Sequence, residues 1–454
     1  MKEYEVIAVG SGVGASIASR AVSDGRSVAL VDRGPAGGTC VNLGCIPSKM
    51  LIAPADLAVT SREGDRVGVN VPSAAIDFQW IMERMRENRS RNSNYTRTWI
   101  EDHAEELDFY EGEGRFVAEY TLEVNGTSLR GEKIFLCTGA RPLIPPIGGL
   151  DSVDYLTNES VLELEMRPES LIIIGGGYVA CEYGHFFAAT GCGVTILQRN
   201  ERLLPEEEPE ISMALEQRLA GRMRVITALE VDEVASGSEG VRVTGTDQRT
   251  GERRSFAAAR VMVATGRRSN ADTLSLEQTG VEIDDRGYMI TDAYLQTTKD
   301  GIYAVGDANG KQMFRHAANR EAGIAWRHAT GEAEPMDYRS VPHAVYSHPR
   351  IASVGLGEVE ARQTHRILIG KAQYGDVTMG EAIGEESGFV KLIVEEGSRR
   401  ILGCHILGPS APLLIQEVVN AIALDGTVED LGAIHIHPSL SEVIPAALRH
   451  LRPP

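Results

Sequence analysis

The sequence predicts an α/β fold: two copies of a strand–turn–helix–strand unit built around a glycine-rich turn, followed by an α+β C-terminal segment. Three observations predict it. A strand pattern at Tyr4–Val9 runs into Gly10-Ser11-Gly12-Val13-Gly14-Ala15. A second, Leu171–Ile174, runs into Gly175-Gly176-Gly177-Tyr178-Val179-Ala180. The last ~120 residues then change to alternating apolar strands.

In the first unit a helix-forming stretch, Ser16–Ser23, follows the turn, and a buried strand, Ser27–Val31, ends at Asp32. A unit of about 30 residues with an acidic residue at its end is the pattern of a dinucleotide site. Gly10, Gly12, Gly14 and Ala15 let the backbone approach a pyrophosphate, and the helix N-terminus supplies positive potential. Asp32 is placed to accept from a ribose hydroxyl. The second unit closes with the strand Gly193–Leu197. Two such units imply two nucleotide ligands, or one degenerate copy.

Two similar segments, Ile134–Arg141 with Thr138 and Gly139, and Val261–Arg268 with Gly266, are each expected to close a nucleotide domain where the chain crosses over. They put boundaries near 150, 270 and 335, and so divide the chain into 1–149, 150–269, 270–335 and 336–454. The last segment is expected to hold strands Gly388–Val394 and Ile401–Leu407 and helices over Ala411–Leu424 and Ser439–Leu451. The charged stretch Ala74–His103 has helical period and reads as a solvated helix face.

Composition narrows the function. With 43% hydrophobic and 24% charged residues, wholesale disorder is excluded. The net charge of −19 makes nucleic acid and anionic membrane poor partners. No uninterrupted apolar run reaches spanning length, and the start lacks a secretory pattern. Six cysteines are too few for a stapled secreted scaffold. A cytoplasmic multidomain enzyme is expected.

The chemistry concentrates in Gly37–Lys49, where Cys40 and Cys45 stand five apart at the start of a helix. Structural, metal-binding and redox roles all compete for such a pair. No second Cys/His pair sits at finger spacing, so no metal is expected. A reducing compartment disfavours a structural disulfide. Redox exchange fits, because a helix terminus and Lys49 both favour the thiolate. Cys137, Cys181, Cys192 and Cys404 have apolar neighbours on strands or helices and read as buried packing residues.

The run Gly38–Lys49 resembles the redox-active disulfide motif of the class I flavoprotein (pyridine nucleotide) disulfide reductases, among them dihydrolipoamide dehydrogenase, glutathione reductase, mercuric reductase and mycothione reductase. Gly301–Asp307 resembles the family's second flavin motif, and His435–Glu442 its C-terminal acid–base pair. The resemblance covers essentially the whole chain. It implies two Rossmann-like domains, for FAD and NAD(P), and a C-terminal dimerisation domain. FAD would be held by Gly10, Gly12, Gly14, Ala15, Asp32, Gly38, Thr39, Thr138, Gly139 and Asp307. The nicotinamide nucleotide would be held around Gly175, Gly177, Tyr178, Val179, Gln198, Arg199, Arg202 and Gly266.

The resemblance also implies the reaction. Electrons would pass from NADPH through FAD and a Cys40–Cys45 disulfide to a substrate disulfide. Cys45 would be the flavin-side thiol and Cys40 the interchange thiol. His437 would shuttle the proton and Glu442 would orient its ring. Lys49 and Glu182 would form an ion pair beside the flavin. In relatives the His–Glu pair comes from the second subunit, which implies a homodimer.

Gln198, uncharged at its strand end and followed by Arg199 and Arg202, favours NADPH over NADH. Glu201 lies between the arginines, and no further arginine stands near Pro205, so NADH stays open. Tyr178 resembles the aromatic gate of NADPH-using members, with plain packing the alternative. The chain lacks the vicinal C-terminal cysteines of mercuric reductases and the redox extension of large thioredoxin reductases. A small-molecule disulfide is therefore the expected substrate. Glu182–Phe187, His343–Gly355 and Tyr374–Gly380 are similar to mycothione reductases, whereas His435–Glu442 is closer to dihydrolipoamide dehydrogenase. The alternative is thus an NAD-linked dihydrolipoamide dehydrogenase serving as a subunit of a multienzyme complex.

Overall fold

The computed structural model describes residues 1–72, 75–237, 240–332 and 334–454. The chain forms two compact units. Met1–Met50, Met82–Leu143 and Gly266–Asp337 make the first; Leu51–Ile81, Ile144–Thr265 and Tyr338–Pro454 make the second.

The first unit is built on a seven-stranded sheet. Its central strand, Lys2–Val9, pairs in parallel with Val28–Asp32 on one side and Thr127–Leu136 on the other. Leu107–Glu111 extends the first side and Ile302–Ala304 the second, both in parallel. The central strand is apolar at successive positions because both faces are covered: Ile7 and Ala8 have no solvent exposure. The turn Gly10–Val13 leads into the helix Gly14–Ser23, whose Ile17, Ala18 and Ala21 pack inward. Parallel register places Val9 opposite both Val31 and Leu136. The glycine turn, Asp32 and the Cys137–Gly139 turn therefore meet at the carboxyl ends of neighbouring strands, where open α/β sheets take their ligands.

The second unit contains three sheets. Arg224–Ile226, Gly193–Leu197, Ser170–Ile174 and Arg260–Val263 lie in that order, all parallel. An antiparallel set, Leu229–Gly237, Gly240–Asp247 and Arg253–Ala258, accompanies them. The C-terminal sheet of five antiparallel strands runs His343–Val345, Ile351–Gly355, Ile401–Leu407, Phe389–Glu395, Ile367–Gln373. Helices Ala411–Ala423 and Val443–Arg449 bury Ile415, Val418, Val443 and Ala446 against its Val354, Leu392 and Ile406.

Several expectations need adjustment. The charged stretch begins its helix at Phe78 and ends at Asp102, with Phe78, Ile81, Met82 and Met85 buried; Ala74 lies outside the described residues. Ser439–Leu451 is a short 3-10 turn, Leu440–Glu442, followed by the helix Val443–Arg449. Cys137 and Cys192 sit in turns after a strand and a helix; both are buried, as are Cys181 and Cys404. By length and composition the helical stretch Gly38–Arg62 meets the requirement for a membrane span. Its Leu51, Ile52, Ala55 and Val59 are spent on the protein interior.

Candidate active site

Cys40 and Cys45 do not share one helix. Cys40 belongs to the short helix Gly38–Asn42, and Cys45 opens the helix Cys45–Arg62 after a break at Leu43 and Gly44. Asn42 holds this corner: its side-chain amide donates to the carbonyls of Pro35, Ala36 and Gly38 at 3.1, 3.0 and 3.1 Å. Both cysteines are thiols in the structure, Cys45 exposed and Cys40 half-buried. A hydrogen bond from the Cys40 thiol draws the Cys45 pKa down to about 7, with the Lys49 ammonium adding to the effect against burial. The same bond, together with burial, pushes Cys40 well above the ordinary thiol range. The helix N-terminus at Cys45 acts in the direction of the thiolate as well.

Around this pair the first unit shapes a nucleotide cradle. Gly10 has φ of +102°, and a Cβ there would stand 2.3 Å from the Cys137 carbonyl oxygen. A Cβ on Gly38 would stand 2.6 Å from the Gly12 Cα, so the turn and the cysteine segment approach as only glycines permit. The Asp32 carboxylate accepts from the Ser11 amide and from the Gly34 amide, the latter at 2.8 Å. Thr138 Oγ1 is buried without a hydrogen-bond partner among the described residues, and such an atom calls for a ligand or water. Asp307 lies 3.2 Å from Arg267. Burial raises its carboxyl above the ordinary range, and the guanidinium only partly offsets this. A glycine turn at a helix start, an orphan hydroxyl and an acid at a strand end fit a dinucleotide.

The second unit repeats the cradle. Gly175 has φ of +113°, and a Cβ there would meet the Ala264 carbonyl oxygen at 2.2 Å. Gln198 is buried beside Gly176, and Arg199 stands exposed after it. Glu201, which could have opposed the arginines, is turned to Arg249 at 2.7 Å. Arg202 bends back to donate to the Pro205 carbonyl at 3.2 Å, which places a cation where the sequence has no arginine of its own. Both arrangements depend on contacts that spacing does not reveal. Val179 continues the helix opened by Tyr178, whereas Gly266 falls in the first unit.

His437 and Glu442 come together on the C-terminal segment, His437 Nδ1 lying 2.9 Å from Glu442 Oε1. Glu442 also accepts from the Ser439 amide at 3.0 Å. These two bonds, the histidine first, hold its carboxyl below the ordinary range. With Nδ1 engaged, Nε2 is the nitrogen left to exchange protons, and the ring is largely exposed. Lys49 stands one turn past Cys45, its Nζ 3.4 Å from Ser48 Oγ. Glu182 is buried in the second unit and accepts from the Tyr346 amide at 3.0 Å.

Two clusters escaped the sequence reading because their members are far apart in the chain. Asp56, His185 and His348 bring potential ligand atoms within 4.8 Å of one another, as do Glu208, Glu210 and Glu358. Each already holds a cation of the protein. Arg350 lies 2.7 Å from Asp56, and Lys391 lies 2.6, 2.7 and 2.6 Å from the three glutamates.

Comparison with known proteins agrees with this geometry. Residues 4–322 match the pyridine nucleotide-disulphide oxidoreductase model and residues 341–448 its dimerisation domain. Mycothione reductase of Mycobacterium tuberculosis is 34% identical over 471 residues, covering 100% of both chains. Mercuric reductase of Staphylococcus aureus is 34% identical over 435 residues, 94% of this chain and 79% of that protein. Dihydrolipoyl dehydrogenase of Bacillus subtilis is 32% identical over 462 residues, covering 97% and 96%. Identity therefore does not rank these branches. Among solved structures, the Cu(II) complex of the HOCl-induced flavoprotein disulfide reductase RclA from Escherichia coli matches with a TM-score of 0.88 at 27% identity over 99% of each chain. The chain belongs to the pyridine nucleotide-disulphide oxidoreductases, flavoproteins that use FAD and NAD(P)H.

Proposed function

We propose that this protein is an NADPH-dependent reductase of a low-molecular-weight disulfide, working as a homodimer through Cys40 and Cys45. The observation that carries the reading is the placement of the two thiols: Cys45 opens a helix with Lys49 one turn on, and Cys40 lies on the short helix before it; this setting favours the Cys45 thiolate and raises Cys40. FAD would be held by the Gly10–Ala15 turn, Asp32, Gly38, Thr39, Thr138, Gly139 and Asp307 within 1–149 and 270–335. The nucleotide would be held by Gly175, Gly177, Gln198, Arg199 and Arg202 within 150–269. When bound, the two cofactors supply a two-electron path between a nicotinamide and the dithiol.

The protein's own chemistry is thiol–disulfide exchange. Cys40 surrenders its proton to His437 and attacks one sulfur of the substrate RS–SR. A Cys40–S–S–R bond forms, the S–S bond of the substrate breaks, and the first thiol leaves with a proton from His437. The Cys45 thiolate then attacks the Cys40 sulfur, closing the Cys40–Cys45 disulfide and releasing the second sulfur as a thiolate, which takes its proton from water. The raised pKa of Cys40 is the reason a base is needed, and Glu442 fixes His437 for that task. His437 and Glu442 would be contributed across the dimer by residues 336–454. Lys49 and Glu182 take the flavin-side roles that the resemblance implies.

The NADPH preference rests on Gln198, on the exposed Arg199, on Arg202 folded towards Pro205 and on Glu201 engaged elsewhere. A second reading, dihydrolipoamide dehydrogenase, is favoured by the form of His435–Glu442. Anaerobic titration of the FAD-loaded protein with NADPH and NADH, followed by turnover of lipoamide and of low-molecular-weight disulfides, separates the two. Fast reduction by NADPH with turnover of a thiol disulfide is expected. NADH preference with lipoamide turnover would replace this reading by the second.

A further inference from the structure

Between the helix Val428–Leu431 and the 3-10 turn Leu440–Glu442 the chain runs without regular structure, and this stretch carries His437. Residues 432–438 are exposed with one exception, His435, whose side chain is 12% exposed. Among the described residues, no backbone amide over 433–437 donates a hydrogen bond. The His435 ring ties the stretch down instead. Its Nδ1 lies 2.8 Å from the Ala433 carbonyl oxygen, and its Nε2 lies 3.1 Å from Oε2 of Glu417 on the helix Ala411–Ala423. Oε1 of the same carboxyl is buried and finds no hydrogen-bond partner among the described residues.

The protons follow from these partners. A carbonyl oxygen only accepts, so Nδ1 carries a hydrogen. The bond between Nε2 and the carboxyl then needs a second proton, either on the ring or on Glu417. Without it, a neutral imidazole has one N–H for two acceptors and must give up one of its two bonds. Burial raises the Glu417 carboxyl above the ordinary range, and His435 only partly offsets this, so the pair is disposed to keep the proton. Two other titratable groups face the pair. Cys404, on the strand beneath the helix, is a thiol held well above the ordinary range by burial and then by the Glu417 charge. Glu442 is lowered by His437 first and more weakly by His435. Cys404 keeps its own proton and Glu442 is bonded to His437, so the second proton belongs to Glu417 and His435.

We propose that Glu417 and His435 form a proton-holding anchor that positions the His437 stretch for thiol–disulfide exchange. Glu417 is a positioning residue that acts through His435, two residues before the acid–base histidine. While the shared proton is present both bonds of the ring hold. Its loss as pH rises opens one of them and frees the stretch. This rests on the reading of His437 as the acid–base group.

The test compares the FAD-loaded wild type with Glu417→Ala and Glu417→Gln. Glutamine keeps both bonds without a titrating proton, because its amide donates to Nε2 of a neutral ring. Glu417→Ala should lower kcat for disulfide turnover about tenfold, the size of one hydrogen bond to a charged group, with flavin reduction by NADPH spared. Glu417→Gln should restore most of that loss at pH 7. On the alkaline side the wild-type kcat should fall through a one-proton limb that Glu417→Gln lacks, whereas a merely structural carboxyl would leave the two profiles alike. Superimposed profiles, or full turnover in Glu417→Ala, would overturn the anchor. Should Glu417→Ala fail to fold, the profiles of wild type and Glu417→Gln still decide. Thermolysin cleavage at Ile434 and Ile436, mapped by mass spectrometry at pH 7, reads the anchor without turnover. It should be faster in Glu417→Ala than in wild type or Glu417→Gln, and equal rates would overturn the anchor. Full disulfide turnover in His437→Ala would remove the acid–base reading instead, and the cleavage difference would still support the anchor.

Discussion

At the scale of single residues, the proposed redox pair would work because its two sulfurs have different surroundings. Cys45 has a helix N-terminus, Lys49 and the Cys40 thiol to stabilise its thiolate, whereas Cys40 is the donor and is penalised by burial. In the reduced holoenzyme, the thiolate absorbance of Cys45 should rise with a midpoint at about pH 7; a midpoint in the ordinary free-thiol range would contradict the assignment. His437→Ala should slow disulfide turnover by ~10²-fold or more while sparing reduction by NADPH, read by stopped-flow flavin absorbance. Equal losses in both half-reactions would remove His437 from the exchange step. That Cys40 lies near Cys45 and His437 beside Glu442 was legible in the sequence, because short spacings carry both pairs. The break at Leu43–Gly44 between the cysteines was not, since it depends on Asn42 binding three carbonyls. The return of Arg202 to Pro205 and the capture of Glu201 by Arg249 were hidden for the same reason: they are matters of folded contact, and the second spans 48 positions.

Among the elements, the helix Cys45–Arg62 carries Cys45 at one end and an anchor towards the other. Asp56 lies 2.9 Å from His185 Nε2, 2.7 Å from Arg350 and 3.4 Å from His348 Nδ1. His348 reaches Glu63 with its other nitrogen at 3.3 Å, and Arg222 lies 3.1 Å from His185 Nδ1. Burial opposes the Asp56 charge, but the bonds from His185, His348 and Arg350 hold its carboxyl far below the ordinary range. A depressed carboxyl stabilises the fold above its unfolded-state pKa, and that stability is lost as pH falls through the folded-state value. Asp56→Asn should therefore lower the urea midpoint at pH 7, with a loss of about 3 kcal/mol. It should also flatten the decline of stability below about pH 4. An unchanged midpoint would mean the cluster contributes nothing net. The helix itself was expected from the cysteine segment; its anchor was not, because Asp56, His185 and His348 share no local motif.

On the scale of the whole molecule, the C-terminal segment leaves Ile434, Ile436 and Leu413 at 103%, 81% and 75% exposure, more than isolated apolar residues require. A homodimer that covers this segment would account for them, and the matched dimerisation domain includes all three. Ile436→Asp should shift the protein towards monomer in sedimentation velocity and reduce disulfide turnover in parallel, with FAD retained. A stable dimer with full turnover would place the interface elsewhere. The doubled glycine turns and the alternating apolar strands that follow them made the α/β fold class readable. What they could not show is that Leu51–Ile81 packs with the second unit rather than with the cysteines that precede it. Nor could they show the buried Lys391 among Glu208, Glu210 and Glu358, since a lone lysine in an apolar strand has no pattern to announce its partners.

On the proposed function, reducing equivalents from a pyridine nucleotide arrive at Cys40 and Cys45. The most direct test is differential alkylation of the FAD-loaded protein before and after anaerobic NADPH, with each cysteine quantified by mass spectrometry. The expected result is that Cys40 and Cys45 pass together from blocked to alkylated, while buried Cys137, Cys181, Cys192 and Cys404 are unchanged. Flavin reduction with no change at Cys40 and Cys45 would contradict the assignment.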